Sequence, residues 1–198
     1  SSIYVKELDE HYHSIHGALQ EAKHVFLKMG LDQMSEGPIN LLEVGFGTGL
    51  NCLLTAVTNR HVNYFGLEAY PVELDLIGEL TYTSLIEDSK ELFKLIHDCS
   101  WEEYSEIRPG FSLKKVCAKL EDVKFDTKFS LVYFDAFGPR AQGELWDVKW
   151  FKKIYDAMNQ GGVLVTYCAK GQVRRDLQSV GFDVERLEGP PGKREMLR

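Results

Sequence analysis

Apolar residues fall along this chain in short dense blocks separated by amphipathic stretches, and the alternation predicts the fold. The blocks ending at Val44, spanning Asn63–Glu68, Phe111–Cys117, Ser130–Asp135 and Gly162–Tyr167 read as five strands. Between them, Leu50–Val57, Leu85–Ile96, Leu145–Met158 and Val173–Val180 carry helical spacing, and Pro71 suits the first turn of a helix. Ahead of the first strand, Ile15, Leu19, Ala22, Val25 and Phe26 predict a helix over Tyr12–Leu27, closed by a loop from Gly30 to Pro38. Trp101 and Tyr104 read as packing residues in a connection. Phe182–Leu187 and Glu195–Leu197 are strand-like and suit an antiparallel hairpin. The expectation is an α/β protein with a doubly wound, mostly parallel sheet and a carboxyl-terminal antiparallel hairpin. Its 198 residues, 44% hydrophobic, suit a single domain with residues 1–39 as a helical lead-in.

Chemistry enters at the first strand-to-helix turn, Glu43-Val44-Gly45-Phe46-Gly47-Thr48-Gly49-Leu50-Asn51. Glycines between a strand and a helix let backbone approach a nucleotide without Cβ clashes. The spacing is Gly-x-Gly-x-Gly, not the Gly-x-Gly-x-x-Gly of a dinucleotide site, which favours S-adenosylmethionine over NAD. Glu68 ends the second strand, where a carboxylate can accept both ribose hydroxyls; the alternative is a solvated strand end. Asp135 ends the fourth strand at the edge where open α/β proteins hold ligands, and is the first choice for catalysis, with a helix or turn cap as the alternative. Phe134, Phe137 and Trp146 serve either a planar substrate or the core.

Charge and cysteine usage narrow the class. A net charge of -7 argues against a uniformly basic nucleic-acid surface, although Lys170–Arg198 is net positive. The four cysteines form no Cys-x-x-Cys pair, which suits a reducing, cytoplasmic setting. No apolar run has the length of a membrane span. His11, His13 and His16 lack a zinc spacing, so no metal is expected.

The glycine turn, Asp135-Ala136-Phe137-Gly138-Pro139, Trp146, Val173-Arg174-Arg175 and Gly192-Lys193-Arg194-Glu195-Met196 together resemble the methyltransferase part of the MnmC-type wobble-uridine tRNA modification enzymes. Tyr12-His13-Ser14 to Gly17, Glu21 and Val25-Phe26 are similar to the same family, so the resemblance runs from about Tyr12 to Arg198. It implies a Rossmann-like class I methyltransferase that methylates the 5-aminomethyl group of wobble 2-thiouridine in tRNA, in a stand-alone form without FAD. It further implies contact with the tRNA anticodon region and a separate enzyme supplying the aminomethyl-uridine. Glu43, Gly45, Phe46, Gly47, Thr48, Gly49, Asn51, Glu68, Tyr12 and Ser14 are then expected to hold S-adenosylmethionine. Phe137, Trp146, Arg174, Arg175, Lys193 and Arg194 are expected to hold substrate, the cations through phosphates. The chain departs from the family pattern at Ala118-Lys119, where an acid commonly meets adenine; lysine only donates, which leaves backbone groups, Glu121 or Asp122.

An alkylamine resembles lysine, with an ordinary pKa of about 10.4, so the reaction requires deprotonation before in-line attack. A neighbouring sulfonium lowers that value, and Asp135 fits an orienting acceptor and proton exit better than a strong base. Two alternatives use the same sequence features: an aminopropyltransferase of the polyamine-synthase type, and a non-enzymatic module binding tRNA or the cofactor.

Overall fold

The computed structural model describes residues 17–198 and the backbone of two short paired strands, β1 (Tyr4–Val5) and β2 (Glu10–His11). Tyr12, His13, Ser14 and His16 lie outside the described residues, as does the first part of the expected Tyr12–Leu27 helix. The remainder of that helix is α1 (Ala18–Ala22), continued by a π-helical stretch over Lys23–Lys28. The expected loop from Gly30 contains a 3-10 turn at Leu31–Gln33.

The central sheet follows: β3 (Ile39–Val44), α2 (Leu50–Ala56), β4 (Val62–Glu68), α3 (Leu74–Gly78), α4 (Lys90–Asp98), β5 (Tyr104–Arg108) and β6 (Phe111–Cys117). Then come β7 (Phe129–Phe134), α5 (Val148–Asp156), β8 (Met158–Val165) and α6 (Gly171–Ser179). The last elements, β9 (Arg186–Glu188) and β10 (Glu195–Leu197), form the expected antiparallel hairpin, tied to the end of β8 by a Thr166–Leu197 bridge.

Strand order is β5-β6-β4-β3-β7-β8, parallel throughout except for β5. The chain winds outward from β3 through β4 to β6, then returns to β7 on the other side of β3. That reversal opens a crevice at the carboxyl ends of β3 and β7, where Glu43 pairs with Tyr133 and Val44 with Phe134.

Three expectations need correction. Tyr104 opens an antiparallel edge strand and is about half exposed, where a packed connection was expected. The helix expected over Leu85–Ile96 begins at Lys90, because Asp88 adopts φ 53° and breaks the run. Pro71 precedes α3 by three residues, and Glu73 flanks the helix start. Trp101 does pack: its ring lies 5.1 Å from Nζ of Lys115, a lysine 1% exposed that also donates to the His97 carbonyl at 3.0 Å.

The pleat sends adjacent residues to opposite faces, which builds two cores. Leu41, Tyr64 and Tyr133 join Val25, Phe26 and Met196 on one face. Leu42, Phe65 and Phe134 join Trp146, Phe151 and Leu177 on the other. The amino-terminal helix and the carboxyl-terminal hairpin therefore meet on the same side of the sheet.

Candidate active site

Each glycine of the turn after β3 has a positive φ: 91° at Gly45, 52° at Gly47 and 73° at Gly49. An L side chain is strained there, and at Gly45 a Cβ would stand 2.6 Å from the Asp135 carbonyl oxygen. The missing side chain thus lets the β3 turn sit directly against the end of β7. Gly45 and Phe46 both donate to Leu67 O, at 3.0 and 3.1 Å, which anchors the turn on β4. The Phe46 ring, an expected cofactor contact, is buried and packs on Gly66 instead.

Glu68 accepts from Gly47 N at 2.8 Å through one oxygen and from Tyr70 N at 3.0 Å through the other. It straps the glycine turn to the end of β4, and each oxygen keeps a lone pair for a further donor. Burial pushes its carboxyl up, opposed by the backbone donors of Tyr70, Gly47 and Ala69. Thr48 is buried with its hydroxyl 3.1 Å from the Tyr82 hydroxyl.

Asn51, on the first turn of α2, joins two carboxyls. Its amide nitrogen donates to Glu43 Oε1 and to Asp135 Oδ2, both at 2.8 Å. Glu43 is 1% exposed and also accepts from the Tyr64 hydroxyl at 2.7 Å. Burial drives the Glu43 carboxyl well above its ordinary range, outweighing the Tyr64 and Asn51 hydrogen bonds. Asp135 is half-buried, and desolvation pushes it up to about 8; Asn51 and Lys193 work against that rise and Glu21 adds to it. The remaining amide oxygen of Asn51 is buried and unpartnered among the described residues.

These acceptors fit a nucleoside that carries ribose hydroxyls and an ammonium. Glu68 can accept hydroxyls, the Asn51 oxygen can accept from an ammonium, and the glycine cradle excludes side chains from the space between them. Lys119 faces Glu121 at 3.8 Å, and both are exposed.

Several expected substrate residues stand elsewhere. Trp146 is 5% exposed, its ring edge-on to Phe134 at 4.9 Å and Tyr167 at 6.3 Å, so it is core and not a stacking platform. Its indole donates to Phe137 O at 2.8 Å, which fixes the loop after Asp135. Lys193 is ion-paired with Glu21 at 2.9 Å, where a phosphate ligand was expected. Arg175 is exposed and donates to Gln172 at 2.8 Å, Arg174 is half-buried and Arg194 is exposed. Sequence reasoning did not find Tyr64 on β4, Tyr82 in a 3-10 turn or Tyr167 past the end of β8 as partners of the site, since a lone tyrosine carries no signal beyond packing. Among the described residues no group of three or more His, Cys, Asp or Glu is placed to hold a metal ion, and no helix is long and apolar enough to cross a membrane.

Residues 90–198 match the family model described as S-adenosyl-L-methionine-dependent methyltransferase. The chain belongs to that family. This methyltransferase is similar along its length to proteins named tRNA 5-methylaminomethyl-2-thiouridine biosynthesis bifunctional protein MnmC. The relative from Polaromonas naphthalenivorans is 30% identical over 216 residues, covering 100% of the chain and 33% of the relative. That from Marinomonas sp. is 28% identical over 208 residues, covering 96% of the chain and 31% of the relative. The methyltransferase thus spans about a third of the curated relatives it matches. MnmC2 from Aquifex aeolicus shares the fold with a TM-score of 0.80 at 23% identity, covering 99% of this chain and 65% of that one. The glycopeptide N-methyltransferase MtfA in complex with S-adenosylmethionine shares it more distantly, with a TM-score of 0.52 at 13% identity, covering 93% of each chain. The chain is therefore a methyltransferase that uses S-adenosylmethionine.

Proposed function

We propose that this chain methylates the primary amine of 5-aminomethyl-2-thiouridine at the wobble position of tRNA. The observation that carries the reading is Asp135: a carboxyl at the mouth of the β3/β7 crevice, held by Asn51 and raised to about 8. A group with that value exchanges protons near neutrality, which suits an amine that must lose a proton before it attacks. When bound, S-adenosylmethionine supplies a methyl group on a sulfonium. Glu68 would hold its ribose hydroxyls and the free oxygen of Asn51 its amino group, with Gly45, Gly47 and Gly49 leaving room for it. Asp135 orients the acceptor amine and takes its proton, so the chain contributes chiefly alignment.

Phe137, fixed by Trp146, borders the acceptor side, and Arg174, Arg175 and Arg194 would meet phosphates of the anticodon region. The reading places the protein in the cytoplasm, with the aminomethyl-uridine made beforehand by a separate enzyme. The likeness along the chain to MnmC supports it over aminopropyl transfer and over binding without turnover.

The test is methyl transfer from labelled S-adenosylmethionine to tRNA from a strain lacking the last methylation, read by mass spectrometry of the wobble base. The expected product is 5-methylaminomethyl-2-thiouridine, and its absence overturns the assignment. Asp135→Asn should lose about two to four orders of magnitude in turnover while binding S-adenosylmethionine as the parent does.

A further inference from the structure

Lys193 carries a primary alkylammonium, and the fold holds that group in a built site beside Asp135. Its Nζ lies 2.9 Å from Glu21 Oε1 and 4.0 Å from the centre of the Tyr167 ring. The side chains of Lys193 and Glu21 are 35% and 19% exposed, against 66% and 55% for the surface pair Lys94–Asp98. Tyr167 is fixed in turn, donating its hydroxyl to Ala136 O at 2.8 Å, one residue past Asp135. A carboxylate and an aromatic face around one ammonium make a recognition site for alkylammonium ions, stronger than an exposed ion pair.

The pair also joins distant parts of the chain: Glu21 comes from α1 and Lys193 from the loop between β9 and β10. Among the described residues, both Glu21 and Lys193 act electrostatically on Asp135 at the end of β7, and Asp135 acts in turn on Glu43 on β3. An ammonium at this position therefore acts on the acceptor identified above, and Tyr167 ties the site to the residue that follows it.

We propose that Glu21 and the face of Tyr167 form the recognition subsite for the acceptor's primary ammonium, and that Lys193 occupies it until the substrate amine takes its place. The proposal rests on the aminomethyl-uridine reading, because that substrate presents the same chemical group as Lys193. Exchange of one ammonium for another leaves the charge of the site unchanged, so the half-buried Glu21 keeps a counter-ion while the substrate amine replaces Lys193. The Lys193 backbone stays pinned to Pro190 O at 2.9 Å, while its long, partly exposed stem can carry the head to solvent. Once seated, the substrate ammonium gives its proton to Asp135 before methyl transfer.

The experiment compares binding of two tRNAs, one with 5-aminomethyl-2-thiouridine at the wobble position and one with 2-thiouridine, to the full chain saturated with S-adenosylhomocysteine. Contacts to phosphates are common to both and cancel in the ratio of affinities. The parent should prefer the amine-bearing tRNA. Glu21→Gln and Tyr167→Leu should reduce that preference about tenfold, and Tyr167→Phe, which keeps the ring, should retain it. Lys193→Met should raise the preference several-fold by emptying the subsite. Melting temperature and S-adenosylhomocysteine affinity identify any variant that fails to fold, and the two positions give independent readings. A parent that methylates and discriminates, with Glu21→Gln and Tyr167→Leu discriminating equally well, overturns the subsite alone. A Lys193→Met variant that loses affinity for both tRNAs in equal proportion makes Lys193 a phosphate ligand and overturns the displacement. A parent that neither methylates nor discriminates removes the underlying reading and the proposal with it.

Discussion

Asn51 holds Asp135: its amide nitrogen donates to Asp135 Oδ2 at 2.8 Å, and the same nitrogen donates to the buried Glu43 at 2.8 Å. The side chain that opens α2 therefore couples the end of β7 to the centre of β3. Both carboxyl oxygens accept from Asn51, so its amide turns its nitrogen to the two of them and its oxygen the other way.

That arrangement predicts a specific failure in Asn51→Ala. Glu43 loses a partner in a site without water-sized exposure, which should cost about 1–3 kcal/mol in a denaturant titration. Asp135 loses its tether, so turnover should fall more than stability alone explains. Asn51→Asp should be worse than Asn51→Ala, because a third carboxyl then stands between two others. Equal turnover in parent and Asn51→Ala, measured at a temperature where both are folded, would show that the tether does not matter.

Glu43 gives a second prediction through its position. Its carboxyl lies well above the ordinary value of 4.5 because burial disfavours the charged form. A raised folded value means that its stabilising contribution is complete below about 4.5 and is lost as pH rises from there toward the folded value. The parent should therefore lose stability between pH 5 and 8 through this group. Glu43→Gln fits the same partners, its oxygen toward Asn51 and its nitrogen toward the Tyr64 hydroxyl, which can turn to accept. The variant should stay within about 1.5 kcal/mol of the parent at pH 5 and overtake or approach it at pH 8. Parallel stability curves for the two proteins across that range would contradict the neutral, buried carboxyl.

How much of this was legible in the sequence follows from local pattern. The strands β3, β4 and β7 are dense apolar runs buried on both faces, β6 alternates apolar and polar positions, and each was readable to within about a residue at its carboxyl end. β5 was not, because an antiparallel edge strand with Tyr104 and Glu106 exposed has no apolar run. β8 begins at Met158, ahead of Gly161 and Gly162, and only its inner end is apolar enough to announce a strand. Asp135 and Glu68 were readable because strand ends at a sheet reversal face the crevice. Trp146 and Lys193 were not: the partners of Trp146 come from three elements, and Glu21 lies 172 residues from Lys193. No spacing rule links such pairs, and a cation near a glycine is indistinguishable in sequence from a phosphate ligand.

Asp135 itself yields the pH dependence of the reaction. With its carboxyl raised to about 8, mainly by desolvation, it is largely protonated at pH 7 in the free protein. An acceptor for the amine proton must be ionised, so kcat/KM should climb with pH through a midpoint near 8 and level off above it, since that ratio reports groups of the free protein. The charges around it set the direction of change: Glu21 raises the value and Lys193 lowers it. Glu21→Gln should therefore shift the rising limb to lower pH, and Lys193→Met should shift it to higher pH. The substrate amine titrates on its own and contributes a limb common to all three proteins, so the displacement between profiles isolates Asp135. Stability moves the opposite way from activity. The uncharged form of Asp135 is the favoured one in the fold, so its contribution is full below about 3.8 and declines as pH rises through 8. Asp135→Asn removes that decline, so it should melt at or above the parent's temperature at pH 8 while being nearly inactive. Superimposable rate profiles for the parent, Glu21→Gln and Lys193→Met would remove Asp135 as the titrating acceptor.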